Sequence, residues 1–271
     1  MNAPLRKVEF QHGLNAPREQ FVENIRANMS KYLDSLQIGR ALLVAGGPSA
    51  ADHVEDIRKH QADGWRLYAV NGAHDWLISH QIFPNAAIAM DATPIVDTFF
   101  QARNVGCVYY LASQCHPSLV ERLSTQNVML WHAMLDKATN DLIAAADPKA
   151  TILMPANTVS QHAASILFTR GYRKVRAYGL DSSHRPGRDH AYNNSQQKAV
   201  DEVEIVFKGT PYLSTGTWAA QAQAFAHAWG QFFRLGMRIE VIGDGLLPAM
   251  VQVAKERLFT ELAPSQTGNP E

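Results

Sequence analysis

The chain has 271 residues, 46% of them hydrophobic, and its 25 Lys and Arg are matched by 25 Asp and Glu for a formal net charge of zero. That length suits one large α/β domain with appendages, and the balanced charge leaves no global basic field for nucleic acid, so direct nucleic-acid binding is not expected. Two cysteines, Cys107 and Cys115, exclude a disulfide framework; the polar start with Arg6, Lys7 and Glu9 is not a signal peptide, no apolar run reaches the ~20 residues of a membrane span, and the expected location is cytoplasmic.

Residues 1–16 read as irregular. Residues 17–36 read as a surface helix, with Phe21, Ile25, Met29, Tyr32, Leu33 and Leu36 at helical spacing. Together they make an N-terminal arm over 1–37. Short apolar runs follow at Ala41–Ala45, Leu67–Val70, Ala86–Met90, Cys107–Leu111, Val128–Trp131, Val175–Gly179 and Ile239–Ile242. Helical patterns separate most of them, near 50–63, 73–80, 94–103, 117–124, 158–171 and 216–236. Continuous apolar strands alternating with helices predict an α/β, Rossmann-like fold, a mostly parallel sheet with helices on both faces. Residues 202–214 differ: Val203, Ile205 and Phe207 recur at every second position among the acids Glu202 and Glu204 and Lys208, before Gly209-Thr210, which predicts a hairpin or small flap. The main domain is read as 38–262, and the tail 263–271, with Pro264, Ser265, Gly268 and Pro270, as disordered. The basic group Arg170, Arg173, Lys174 and Arg176 reads as a solvated helix end.

The first strand runs into Gly46-Gly47-Pro48-Ser49 and then a helical pattern. A tight strand-to-helix turn exposes backbone N–H groups where the helix dipole favours an anion. Glycine lets a ligand approach the backbone closely, and Pro48 suits a first helical turn. The pattern is neither a P-loop nor the G-x-G-x-x-G fingerprint. The expectation is a nucleotide phosphate cradled by Gly46, Gly47, Pro48 and Ser49.

In an open parallel sheet, ligands bind beyond the carboxyl ends of the strands. Small and polar residues follow nearly every strand here: Asn71-Gly72, Asp91-Ala92-Thr93, Ser113-Gln114, Asp181-Ser182-Ser183-His184 and Gly243-Asp244-Gly245. Asn71 is read as a contact to base or ribose. Asp91 is read as a ligand for ribose or a divalent cation. Asn157, Thr158 and Ser160, opening an apolar helix, make a second anion site. Asp181 and Ser182 are expected to face the reacting centre. His190, in a loop with His184 and Asp189, is the candidate general base, and Arg185 and Arg188 are expected to clamp phosphate. His116 and His132 are weaker candidates, and Trp76 and Trp131 read as packing residues.

Taken together, Gly46-Gly47-Pro48-Ser49, Ala69-Val70-Asn71, Ile82-Phe83-Pro84 running to Met90-Asp91, Asn157-Thr158-Val159 and Tyr178-Gly179-Leu180-Asp181-Ser182 resemble the motility-associated-factor (Maf) and MptE-like family over roughly residues 38–195. The first motif departs from the family's usual Gly-x-Gly-Pro-Ser-Leu, because Ala45 and Ala50 stand at its ends. The resemblance implies a sialyltransferase-like fold and a nucleotide-dependent transferase. Maf-type members imply glycosyl transfer from a CMP-activated nonulosonate donor to a hydroxyl acceptor, with no cofactor required. MptE-type members imply transfer of diphosphate from ATP, with Mg²⁺ held by Asp91 or Asp181. Glycosyl transfer is the first reading and diphosphoryl transfer the second. A non-catalytic nucleotide-binding module is the third.

Overall fold

A computed structural model describes residues 17, 19–20, 23–24, 39–148, 150, 152–153, 156–192 and 202–262. Residues 1–16, most of the expected helix over 17–36, and the tail from 263 lie outside the described residues. Within that helix Glu19, Gln20, Glu23 and Asn24 are helical. Asn24 is buried, and its Nδ2 donates to the carbonyl of Gln114 at 2.7 Å.

Eight parallel strands form the sheet: β1 (Arg40–Val44), β2 (Arg66–Val70), β3 (Ala86–Ala89), β4 (Val108–Ala112), β5 (Asn127–Ala133), β6 (Ile152–Leu153), β7 (Lys174–Tyr178) and β10 (Arg238–Ile242). Their order is β10-β7-β1-β2-β3-β4-β5-β6. The chain moves outward from β1 to β6, then returns to lay β7 against the other side of β1, with Val44 paired to Tyr178 on one edge and Ala69 on the other. The order therefore reverses between β1 and β7. In such sheets that switch point opens a crevice above the strand ends.

Successive residues of one strand face opposite sides, and both sides here are apolar. Ala41 and Leu43 enter one core cluster and Leu42 and Val44 the other, all four fully buried. The first cluster is covered by α5 (Val159–Thr169), α6 (Gly216–Arg234) and α7 (Leu246–Leu262), through Ile166, Leu167, Phe225, Trp229, Val251 and Leu258. The second is covered by α1 (Val54–Ala62) and α2 (Ala73–Ser79), through Ile57, Trp76 and Leu77. Trp76 and Trp131 are core residues, as expected.

The hairpin is present as β8 (Glu202–Phe207) and β9 (Thr210–Thr215), antiparallel and outside the main sheet. Its turn is Lys208-Gly209, one residue earlier than expected, with φ of 49° and 82°. Positive φ at both central residues matches the twist of a two-residue hairpin. Three elements escaped the sequence reading. The two-residue β6 is too short to show a period. The helix α4 (Lys137–Ala146) buries Thr139 and Ile143 and carries four alanines among its ten residues. The helix α7 contains Pro248 in its first turn, where no N–H is needed. The stretch read as helical over 94–103 is a 3-10 turn at Pro94–Phe99, because the backbone leaves helical angles at Phe100 with φ −136°; α3 (Pro117–Arg122) is shorter than expected. Within the basic group Arg173 and Lys174 are exposed as expected, but Arg170 is 2% exposed, with its guanidinium 5.3 Å from the Tyr110 ring centroid.

Candidate functional site

One cleft of about 1540 Å³ opens above the carboxyl ends of the strands, at the β1/β7 switch point. Ten residues singled out from the sequence line it: Gly46, Gly47, Asn71, Asp91, Asn157, Thr158, Ser160, Asp181, Ser182 and His190. The topology gathers them, because each follows a different parallel strand or opens a helix leading back to the sheet. Pro48 and Ser49 do not line it. Both are buried beneath the turn.

The reason lies in Asp181, which is 2% exposed and turned toward that turn. Its Oδ2 accepts from the Ser49 N–H at 2.8 Å and its Oδ1 from the Ser49 hydroxyl at 2.6 Å. Burial pushes its carboxyl above the ordinary carboxylate range, while the two bonds from Ser49 act in the opposite direction. Asp181 thus clamps the end of β7 to the turn after β1. Of the two carboxylates expected to hold Mg²⁺ in the second reading, Asp91 or Asp181, it is Asp181 whose oxygens are both engaged by Ser49. The Gly47 N–H is likewise engaged, donating to the Gly179 carbonyl at 2.8 Å. The expected cradle of N–H groups at Gly46–Ser49 is therefore largely closed by the protein itself.

The glycines have another reason. A Cβ on Gly47 would collide with Asp181 and lie 2.5 Å from the Gly179 carbonyl oxygen. A Cβ on Gly46 would stand 2.5 Å from the Tyr192 hydroxyl, and one on Gly72 2.6 Å from the same oxygen. Tyr192 lies across the ends of β1 and β2 on two glycines, and the Ala191 N–H fixes it by donating to the Gly46 carbonyl at 2.9 Å.

Two long helices start at the cleft. Thr158 caps α5, its hydroxyl accepting from the Gln161 N–H at 3.0 Å. Thr215 caps α6 in the same way, accepting from the Trp218 N–H at 3.0 Å. Gln221 joins the two starts by donating to the Asn157 carbonyl at 3.5 Å. Both positive dipole ends meet the cleft, at Val159–Ser160 and Thr217–Trp218.

Asn71 holds a φ of 48°, and its Oδ1 is buried without a hydrogen-bond partner. Asp91 Oδ1 accepts from the Thr93 N–H and hydroxyl at 2.8 and 2.7 Å, a local turn that leaves the residue on the cleft wall. Ser182 has a φ of 49°, and its carbonyl accepts from the Ser214 hydroxyl at 2.8 Å, tying the hairpin to the site. His190 Nδ1 lies 3.3 Å from Asp189 Oδ1 but out of hydrogen-bonding line.

The arginines expected to clamp phosphate are elsewhere. Arg185 pairs with Asp52 at 2.6 Å and Asp244 at 2.9 Å, which drive its pKa up. Arg188 donates to the carbonyls of His190 and Ala191 at 3.1 and 2.9 Å. Neither lines the cleft. His116 caps α3 through Ser118, and His132 bonds the Ser113 hydroxyl at 2.8 Å. The polar part of the wall is instead built of backbone groups, hydroxyls, amides, imidazoles and carboxylates, beside apolar side chains such as Val70, Met90 and Leu135.

Sequence reasoning gave no role to Gln114, His162, Tyr192 or Trp218, which also line the cleft. Gln114 and His162 are each 2% exposed, and Gln114 Oε1 and His162 Nε2 have no partner in the structure. His162 Nδ1 lies 3.1 Å from the Thr158 carbonyl, and burial pushes its pKa down to about 4. Gln114 was visible at a strand end. Trp218 and His162 lie within helices, where nothing local distinguishes a cleft-facing position from a core one.

This fold and cleft define an α/β protein with a crevice at a topological switch point. The model of the family described as 6-hydroxymethylpterin diphosphokinase MptE-like matches residues 19–187, and the chain belongs to that MptE-like family. The solved structure of a Maf glycosyltransferase from Magnetospirillum magneticum AMB-1 shares the fold, with a TM-score of 0.61 and 12% identity over 92% of this chain. The match covers 42% of that structure's own length. No curated protein matches the chain. Family and neighbour both carry the names of transferases, and transferase is the class they support.

Proposed function

We propose that the protein moves a sugar from a nucleoside-monophosphate donor to a hydroxyl acceptor. The observation that carries this reading is one crevice joining the Asp189–His190 pair to the N-termini of α5 and α6. Its described wall presents neutral donors and carboxylates. A donor with a single phosphodiester charge suits such a wall, because helix N-termini and N–H groups match that charge without an ammonium or guanidinium.

In this reading Asn71 and Asp91 contact the nucleoside. Asn157, Thr158 and Ser160 bring the start of α5 to the phosphate, and Gly46 and Gly47 line the cleft while making room for Tyr192 and Asp181 beside it. Asp181 is a positioning residue that acts through Ser49, and Ser182 shapes the same loop. His190 takes the acceptor proton as the acceptor oxygen bonds the anomeric carbon. The anomeric bond to phosphate breaks, and its electron pair leaves with the nucleoside monophosphate. The N–H groups of the first turn of α5 stabilise the charge that develops there. No cofactor is needed.

The family description favours a second reading, diphosphoryl transfer from ATP with Mg²⁺. Asp91 is the carboxylate in the cleft that serves it best, since both oxygens of Asp181 are engaged by Ser49. Among the described residues no group of three or more His, Cys, Asp or Glu stands ready to hold a metal.

The test is release of CMP from CMP-N-acetylneuraminate in EDTA. Turnover is expected without metal, with His190→Ala lowering the rate by about 10²-fold or more. Diphosphate transfer from ATP that requires Mg²⁺ would establish the second reading instead. Binding of CMP with no turnover of either donor would leave a non-catalytic module.

A further inference from the structure

The cleft is larger than a nucleotide requires, and its far wall differs from its near one. Trp218 stands where α6 begins. His184 stacks on one side of its indole, with centroids 4.4 Å apart and planes at 23°. The His190 ring lies nearly perpendicular to it, with centroids 6.2 Å apart and planes at 80°. The Thr215 cap and the bond from His184 N–H to the Leu213 carbonyl at 2.7 Å hold both rings from behind. Trp218 still lines the cleft. From there the cleft follows α6 through Gln221, Ala224 and Ala228 to Gln231. These positions recur on one helical face and span about 20 Å at 1.5 Å per residue.

We propose that this wall is the acceptor subsite and that the acceptor is a carbohydrate, a pyranose ring seated on the part of Trp218 that lines the cleft, within a longer neutral glycan. This rests on the glycosyl-transfer reading and names the substrate class of the same site. A flat indole backed by His184 offers an apolar face that matches the C–H face of a sugar ring. Asp189 and the amides of Gln221 and Gln231 supply acceptors and donors for ring hydroxyls, whose O–H groups both donate and accept. Ala224 and Ala228 keep the floor low for a second and third ring, and His227 lines the cleft beside them. Because His190 abuts Trp218, a hydroxyl on the stacked ring lies beside the base that takes its proton. An anionic acceptor is disfavoured next to Asp189.

Saturation-transfer NMR on the full chain tests this without any donor. The probes are methyl β-D-galactopyranoside, methyl β-D-glucopyranoside, methyl α-D-mannopyranoside and a Ser/Thr-containing hexapeptide. CMP thermal shift and circular dichroism are run alongside on each variant. Transfer to the ring C–H protons of at least one glycoside is expected, weakened about tenfold in Trp218→Ala and largely retained in Trp218→Phe. Glycoside binding unchanged in a folded Trp218→Ala variant overturns the proposal. So does binding of the peptide but of no glycoside. Loss of all glycoside signal with the CMP shift intact overturns the acceptor subsite alone. Absence of the CMP shift with Trp218-dependent glycoside binding overturns the donor reading and leaves the saccharide surface standing.

Discussion

At the scale of single residues, the turn after β1 is built by close approach rather than by free N–H groups. Gly47 faces a backbone carbonyl and Gly46 and Gly72 face the tip of a side chain, and this difference predicts different mutants. Gly46→Ala and Gly72→Ala should each destabilise the fold by about 1–3 kcal/mol, and Tyr192→Ala should recover much of that in a double-mutant cycle read by urea unfolding. Gly47→Ala should not be rescued by Tyr192→Ala, since a carbonyl on the backbone of β7's loop cannot swing away. Asp181→Ala removes the acceptors of two buried Ser49 donors and should cost on the order of 2–4 kcal/mol in the same assay. Equal rescue of Gly46→Ala and Gly47→Ala would contradict this reading of the turn. Ten of the cleft-lining residues were legible in the sequence because strand ends in parallel sheets converge. The partners were not: nothing near Ser49 in sequence announces Asp181, and only the return of the chain to β7 brings them together.

At the scale of elements, polar caps fix where the cleft-facing helices begin. Thr158→Ala and Thr215→Ala should each cost about 1 kcal/mol of stability. Thr158→Ala should also weaken nucleotide binding if the start of α5 meets the phosphate, whereas loss of a cap that does not line the cleft, His116→Ala at the start of α3, should affect stability alone. Matching thermal shifts with CMP in all three variants would argue against the helix as the anion site. Seven of the eight strands were readable as apolar runs because burial on both faces removes any need for polar alternation. The helix α4 was not, because its alanines give little periodic contrast. The helix α7 was missed although Leu247, Val251 and Leu258 recur at helical spacing, because Pro248 reads as a break when its place in the first turn is unknown.

At the scale of the whole molecule, the two faces of the sheet form separate cores, and the cleft sits over the larger one. His162 links the two roles, with its ring 5.0 Å from that of Trp131 in the core and its Nε2 unpartnered at the cleft. Its folded pKa of about 4 lies below the unfolded value of 6.5, so the unfolded chain takes up the proton first. Stability from neutral burial is present above the unfolded value and falls as pH drops from 6.5 towards 4, by about 2 kcal/mol at pH 5. His162→Phe should flatten that part of the pH profile in urea unfolding at pH 7 and pH 5. The central claim is that this cleft takes a low-charge nucleotide through helix N-termini. A thermal-shift panel of CMP, CDP, UDP, GDP, ADP and ATP, each with Mg²⁺ and with EDTA, tests it most directly, since a ligand that binds the folded state raises the melting temperature. The account predicts stabilisation by CMP that is undiminished in EDTA. Stabilisation by ATP alone, and only with Mg²⁺, would contradict it.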